Sequence, residues 1–233
     1  MSKQEISPSV IRRLPRYHRF LGELAEQGTV RISSKELSRQ MGMTASQIRQ
    51  DLNCFGGFGQ QGYGYNVRAL RDEIGQILGI SAHRRTILIG LGNLGRAIAS
   101  HVSFPECGCE LIGLFDSNPF VAGKDIGGMP VHHANTLSGF CHQEHPELAI
   151  LCVPENAAPA LAQQLVSLGV RAFWNFSHGD LHFEDPSILV ENVHLADSLL
   201  TLTYGLAHET MNDSAEESAA SDISASQSNN RKD

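Results

Sequence analysis

One stretch constrains the fold more than any other: Thr86-Ile87-Leu88-Ile89-Gly90-Leu91-Gly92-Asn93-Leu94-Gly95, an apolar run ending in Gly-x-Gly-x-x-Gly. The run has the length and residue types of a buried strand, and Arg96 to Val102 continues as a helix. Such a turn brings backbone N–H groups and a helix N-terminus against a pyrophosphate, and glycine lets the chain come that close. Alone, the pattern also describes an ordinary strand-to-helix turn of an α/β core. Here a second strand follows, Glu110 to Phe115, and ends at Asp116. That acid stands about 20 residues past the last glycine, where a dinucleotide site places an acceptor for the ribose hydroxyls. The reading puts Gly90, Leu91, Gly92, Asn93, Leu94, Gly95, Asp116, Val153 and Pro154 on the nucleotide. A carboxylate repels a 2′-phosphate, and the next residues are Ser117 and Asn118 rather than an arginine, so NAD(H) is expected over NADP(H).

Rossmann-type alternation continues after Asp116. Met129-Pro130-Val131 reads as a short strand, Thr136 to His142 as a modest helix, and Glu147 to Val153 as a strong strand. The sequence predicts a helix from Asn156 to Leu168, then strands at Val170 to Phe176 and Ile188 to Val193. Leu195 to His208 is a last helix with more apolar surface than one stripe needs, which implies a partner subunit. From Glu209 the chain is Ser, Asn, Glu, Asp and Ala without periodicity and is expected to be disordered.

The N-terminal third is different. Ser7-Pro8 reads as an N-cap with proline at the first helical position. Val10, Leu14, Tyr17, Leu21 and Leu24 then mark one helix face ending near Gly28, with a bend expected at Pro15. Ser33-x-x-Glu36 and Thr44-x-x-Gln47 are two capping boxes, opening helices around Leu37, Met41 and around Ile48, Leu52, separated by Gly42-Met43. Two short helices about a glycine turn form a helix-turn-helix, whose second helix lies in the major groove. There Arg49 has the fork to read guanine, and Gln47 or Gln50 the amide to read adenine. Phe55 to Tyr65 alternates glycine with aromatics, as suits a tight β-hairpin wing. Asn66 caps a fourth helix ending at Gly79, and Ser81 to Arg85 reads as a linker. Residues 1–85 hold 13 Lys/Arg against 7 Asp/Glu, while residues 86–208 hold 3 against 12 and residues 209–233 hold 2 against 6. A basic third on a chain of net charge -7 implies that this part meets a polyanion. The expected contacts are Arg12, Arg16, Ser33, Ser34, Thr44, Ser46, Gln47, Arg49, Gln50 and Tyr63, with Arg12 and Arg16 on phosphates.

The fold class is therefore α/β, with a winged helix-turn-helix over residues 1–80, a linker over 81–85, a Rossmann-like domain over 86–194, a C-terminal helix over 195–208 and a tail over 209–233. No apolar run approaches the ~20 residues of a membrane span and no signal-peptide core is present, so a cytoplasmic location is expected. The five cysteines are odd in number and scattered, unlike a disulfide framework. Cys54 and Cys152 read as small core residues. Cys107-x-Cys109, His132-His133 and Cys141-His142-x-x-His145 lack standard zinc spacing, so no metal is expected. None of the four tyrosines is followed by a lysine four residues on, and no catalytic residue is assigned. Two classes remain: a ligand-controlled DNA-binding repressor, or a small NAD-dependent reductase or CoA-binding protein with an accessory winged helix.

Arg13-Leu14-Pro15, Arg31-Ile32-Ser33-Ser34-Lys35-Glu36-Leu37, Gln47-Ile48-Arg49-Gln50-Asp51, Gly62-Tyr63-Gly64-Tyr65, the glycine fingerprint and Phe115-Asp116 together resemble the Rex family of bacterial redox-sensing transcriptional repressors. The resemblance covers about residues 5–208. It implies a homodimer on palindromic operator DNA, NADH and NAD+ as sensed ligands, release of DNA by NADH, and a C-terminal helix swapped between subunits. It also implies a switch: His101 stands where the family has a tyrosine, His194 where it has an acid, and Arg19 matches the arginine that pairs with that acid. The wing carries Gln60 and Gln61 where the family often has basic residues. Two histidines change the local switch chemistry, because histidine titrates near neutrality.

Overall fold

The apolar stripe at the N-terminus folds as two helices rather than one. The computed structural model describes residues 6–55 and 63–207. Residues 56–62 of the expected wing and the expected disordered tail lie outside them. Helix α1 spans Pro8–Ile11 and α2 spans Leu14–Glu26, with a break at Arg12 and Arg13. Pro15 falls in the first turn of α2, where its missing N–H sacrifices no hydrogen bond. The proline thus starts a helix instead of bending one. Ser7 gives no side-chain cap; its hydroxyl pairs with Ser9 at 2.8 Å. The stripe itself is buried as its spacing requires, from Val10 through Leu24.

The first compact unit also holds β1 (Arg31–Ile32), α3 (Ser34–Met41), α4 (Ala45–Asn53), β2 (Tyr65–Asn66) and α5 (Val67–Leu78). Strands β1 and β2 pair antiparallel, Arg31 opposite Asn66 and Ile32 opposite Tyr65. Gly64 has φ +67°, and a Cβ there would stand 2.7 Å from the Ile32 carbonyl oxygen, so this close pairing requires glycine. Ser33 forms a complete capping box with Glu36, and Gly42 ends α3 in the left-handed conformation. Thr44 accepts from the Gln47 amide at 3.1 Å, but the Gln47 side chain turns away, so only half of the second box forms. Asn66 caps α5 and Gly79 closes it.

Gln47 turns toward Asp51, a carboxylate with 1% exposure on α4. Arg13 binds Asp51 bidentately, Nε to Oδ2 at 2.6 Å and Nη2 to Oδ1 at 2.8 Å. The Tyr17 hydroxyl donates to Oδ2 at 2.9 Å and Gln47 Nε2 to Oδ1 at 2.8 Å. Burial pushes the Asp51 carboxyl up, but hydrogen bonds from Arg13, Gln47 and Tyr17 outweigh it and hold the group below its ordinary value. The Tyr17 hydroxyl is pushed well up by burial and by the bond to Asp51. Sequence reading missed this network, which lashes α4 to α2 at the centre of the apolar cluster of Leu14, Leu21, Leu37, Met41, Ile48 and Leu52.

The second unit is a seven-stranded sheet with order β5-β6-β4-β3-β7-β8-β9. Its strands are β3 (Arg84–Ile89), β4 (Cys109–Asp116), β5 (Asp125–Ile126), β6 (Met129–His133), β7 (Leu148–Leu151), β8 (Ala172–Asn175) and β9 (Leu189–Asn192). Its helices are α6 (Asn93–His101), α7 (Leu137–Glu144) and α8 (Ala158–Ser167), and residues 195–207 form α9. The pairs β3–β7, β7–β8, β8–β9 and β4–β6 are parallel, and β5 pairs antiparallel with β6. The chain walks out from β3 through β4 to β6, returns, and walks the other way through β7, so β3 and β7 flank the point where the order reverses. Ile87, Ile89, Phe115, Ala149, Leu151 and Phe173 fill the core against Ala158, Ala162 and Leu165 of α8.

Three details differ from the sequence reading. The two-residue strand β5 went unnoticed because it is too short to show a period. The expected linker is largely structured: Ile80–Ala82 forms a 3-10 turn and β3 already begins at Arg84. Residues Val102–Leu111, expected in the second domain, group with the first unit, so the first residues of β3 and β4 fall in that unit and the rest of the sheet in the second. Gly108, at φ +71°, lies against Ile80, where a Cβ would stand 2.7 Å from the Ile80 Cα. The Arg84 amide donates to the Gly108 carbonyl at 2.8 Å.

Replacing Arg13 by alanine strands a buried carboxylate, which typically costs roughly 3–5 kcal/mol. Chemical unfolding of Arg13→Ala should show that loss, and a variant within about 0.5 kcal/mol of the parent would contradict it. Because the Asp51 value is depressed, its stabilisation is present above the ordinary carboxylate range and is lost as pH falls through the folded value.

Candidate functional site

Gly90 leaves β3 at φ +96°, and a Cβ there would collide with the carbonyl of Cys152 just beyond β7. Gly95 lies in the first turns of α6, where a Cβ would collide with the Gly90 carbonyl. These two glycines are therefore demanded by the chain's own close approach. Gly92 differs: it is exposed, and a Cβ there would meet no protein atom within 4 Å. Its open face fits the close approach of a phosphate at the start of α6. Asn93 and Leu94 are exposed beside it, Leu91 is buried, and Val153 packs a methyl toward Gly90. All lie at the carboxyl ends of β3 and β7, on the side of the sheet where such ligands bind.

Asp116 ends β4 and reaches across to this loop. Its Oδ2 accepts from the Leu91 amide at 2.6 Å and its Oδ1 from the Asn118 amide at 2.7 Å. The N–H of Leu91, a residue expected on the nucleotide, is thus bonded to the acid. A carboxylate offers about four lone-pair sites, so Asp116 keeps capacity for ribose hydroxyls. Cys152 is half-buried between Gly90 and Gly95, and burial pushes its thiol up to about 11. It is a protonated packing residue at pH 7 rather than a thiolate. Cys54, expected in the core, is exposed, with its thiol donating to the Gln50 carbonyl at 3.3 Å.

In the first unit Arg49 and Gln50 are exposed on α4, as is Ser46. Arg49 Nη1 donates to Ser34 Oγ at 3.0 Å, which steadies its long side chain at the start of α3. Gln47, an expected base reader, is half-buried and donates from Nε2 to Asp51 Oδ1 at 2.8 Å, which leaves its second N–H and its carbonyl oxygen open. Ser33 and Thr44 spend their hydroxyls capping α3 and α4. Arg12 is exposed. Arg16 donates to the Met41 carbonyl at the end of α3 and lies over the Phe20 ring at 5.9 Å. Tyr63 is 70% exposed and receives a hydrogen bond on its carbonyl from Arg31.

Of the three residues expected to form a switch, Arg19 is exposed on α2 and His101 is exposed at the end of α6. His194 lies between β9 and α9, and its Nε2 meets Asp180 Oδ1 at 2.7 Å. This hydrogen bond raises the His194 value above its ordinary one. His182 Nε2 stands 3.8 Å from the other Asp180 oxygen. Sequence reading found His194 but not Asp180, which lies 14 residues away and enters only through the fold. On α9, Leu195, Leu199, Leu200, Leu202, Tyr204 and Leu206 remain 59–65% exposed.

A capped helix-turn-helix and a Rossmann sheet with a phosphate-shaped glycine turn define a nucleotide-responsive DNA-binding regulator. Residues 5–53 match the family model for a putative DNA-binding protein N-terminus, and residues 81–179 match that for a CoA binding domain. The redox-sensing transcriptional repressor Rex of Thermoanaerobacter pseudethanolicus is 51% identical over 209 residues, 90% of this chain and 93% of that protein. The Rex repressor of Clostridioides difficile is 49% identical, over 88% of this chain and 97% of its own. The crystal structure of RSP in complex with β-NAD+ and operator DNA superposes with a TM-score of 0.81 at 48% identity, covering 91% of this chain and 97% of that one. RSP in complex with β-NADH gives 0.82 at 45% identity, covering 91% and 99%. The chain belongs to the Rex family of redox-sensing transcriptional repressors, which are regulators rather than enzymes.

Two substitutions probe the two surfaces. Asp116→Ala should weaken NADH binding and narrow the preference over NADPH, measured by calorimetry; equal NADH and NADPH affinities in the parent would contradict the assignment. Arg49→Ala should lose about 1–3 kcal/mol of discrimination between operator and scrambled duplex. An unchanged preference would remove Arg49 from base readout.

Proposed function

We propose that this protein is a cytoplasmic, homodimeric repressor that binds palindromic operator DNA and releases it when NADH binds, so that transcription follows the NADH/NAD+ ratio. The observation that carries the reading is the glycine turn at β3, with Gly92 open to a ligand and Asp116 fixed beside it, on the same chain as a capped recognition helix. RSP, at 48% and 45% identity, has been crystallised with NAD+ and operator DNA together and with NADH. The exposed leucines of α9 fit a helix exchanged between subunits. On the nucleotide, Gly90 to Gly95 hold the pyrophosphate, Asp116 accepts from ribose hydroxyls, and Val153 and Pro154 line the way to the nicotinamide. On DNA, Arg12 and Arg16 neutralise phosphates, while Arg49 and Gln50 read base edges.

The coupling follows from linkage. NADH expels DNA only through a higher affinity for the conformation that DNA disfavours, and DNA must weaken NADH by the same factor. A gel shift on a palindromic operator, with NADH, with NAD+ and with neither, tests this: NADH should abolish the shift and NAD+ should preserve it. Retention of the complex at saturating NADH would overturn the function, as would steady turnover of NADH with added oxidants.

Charge supplies part of the discrimination, since the reduced nicotinamide is neutral and the oxidised ring cationic. The hydrogen bond to Asp180 raises His194, so it stays protonated above its ordinary range and loses the proton as pH rises through the raised value. A protonated histidine near the ring disfavours NAD+. The NADH preference should therefore be largest at pH 6 and shrink toward pH 8, with the slope diminished in His194→Asp. A flat ratio of the two affinities in the parent protein would exclude His194 from sensing.

A further inference from the structure

Arg31 is an exposed cation at the start of β1, opposite Asn66 of β2. Its Nη1 donates to the Tyr63 carbonyl at 3.1 Å, and its guanidinium carbon lies 6.0 Å from the centre of the Tyr63 ring. A guanidinium hydrogen-bonded to a carbonyl and placed over an aromatic ring is partly oriented before any ligand arrives, so less is lost on binding. Among the described residues no carboxylate pairs with it, in contrast to Arg13, whose charge is spent on Asp51. One of its five donors is used on the Tyr63 carbonyl, which leaves most of the fork open. Tyr63 presents 70% of its surface to solvent, so the pair is an exposed plate of aromatic ring and cation rather than a core brace. The plate stands on the unit whose first 85 residues carry 13 Lys/Arg against 7 Asp/Glu.

We propose that Arg31, held in place by Tyr63, is a DNA-backbone contact that takes one phosphate beside the β1–β2 pair and so fixes where this edge of the unit lies along the duplex. The proposal rests on the operator-binding function above and adds a residue to it. A phosphate is favoured over a base edge because the guanidinium is tied to the β1–β2 pair and not to α4.

The test is fluorescence anisotropy with the full-length protein on operator and scrambled duplexes, from about 50 to about 200 mM salt. Arg31→Ala should weaken both duplexes to a similar extent and reduce the slope of log affinity against log salt by about 1. Arg31→Lys should keep the slope while losing affinity, because lysine retains the charge without the fork or the stack. Tyr63→Ala should weaken binding in the parent and have little further effect in Arg31→Ala, since the two act as one unit. An unchanged salt slope in Arg31→Ala overturns the proposal, as does loss of operator preference with scrambled binding intact. Circular dichroism and cooperative chemical unfolding, measured on each variant, confirm folding; Arg31→Gln, which also removes the charge, carries the salt-slope test if Arg31→Ala does not fold. Failure of the parent protein to prefer the operator would instead sink the repressor function.

Discussion

A single buried carboxylate holds the DNA-binding unit in its working form. Asp51 sits on the recognition helix with its oxygens filled by Arg13, Tyr17 and Gln47. A lone charge at that depth is not tolerated, so all three donors must be in place for α4 to lie where it does. Because the donors come from Arg13 just before α2, from Tyr17 on α2 and from α4 itself, the bonds set the helix's rotation about its axis. That rotation leaves Arg49 and Gln50 exposed and Gln47 half-buried.

A second aspartate plays the corresponding part in the sheet. Asp116 ties the end of β4 to the Leu91 amide, so the glycine turn is braced from the side as well as by the approach of Gly90 to Cys152. Gly90 and Gly95 serve that packing, while Gly92 meets no protein atom and is open to the proposed ligand. The three glycines of one motif thus have different reasons to be glycine, and a side chain at Gly92 would spoil binding while leaving the fold alone. His194 stands where the family resemblance implies an acid, and here the fold sets the acid of Asp180 against it, 2.7 Å from its Nε2.

Much of this was legible in the chain. The glycine fingerprint, the acid after the second strand, the Ser33 and Asn66 caps and the apolar stripes are local patterns set by turn geometry and helical or strand period, and the structure carries each of them. The boundary errors were also local. Pro15 is as consistent with a helix start as with a bend, and a two-residue strand such as β5 has no period to read.

What the sequence by itself determined was the class of each unit, because backbone hydrogen bonding and apolar periodicity act between near neighbours. What only tertiary structure decided was the pairing of polar groups far apart in the chain. Arg13 and Asp51 are 38 residues apart, Leu91 and Asp116 are 25, Arg31 and Tyr63 are 32. Nothing in a linear pattern marks such partners, since a buried carboxylate takes whichever donors the packing of apolar faces brings within reach. That packing turned Gln47 toward Asp51 and brought Asp180 beside His194.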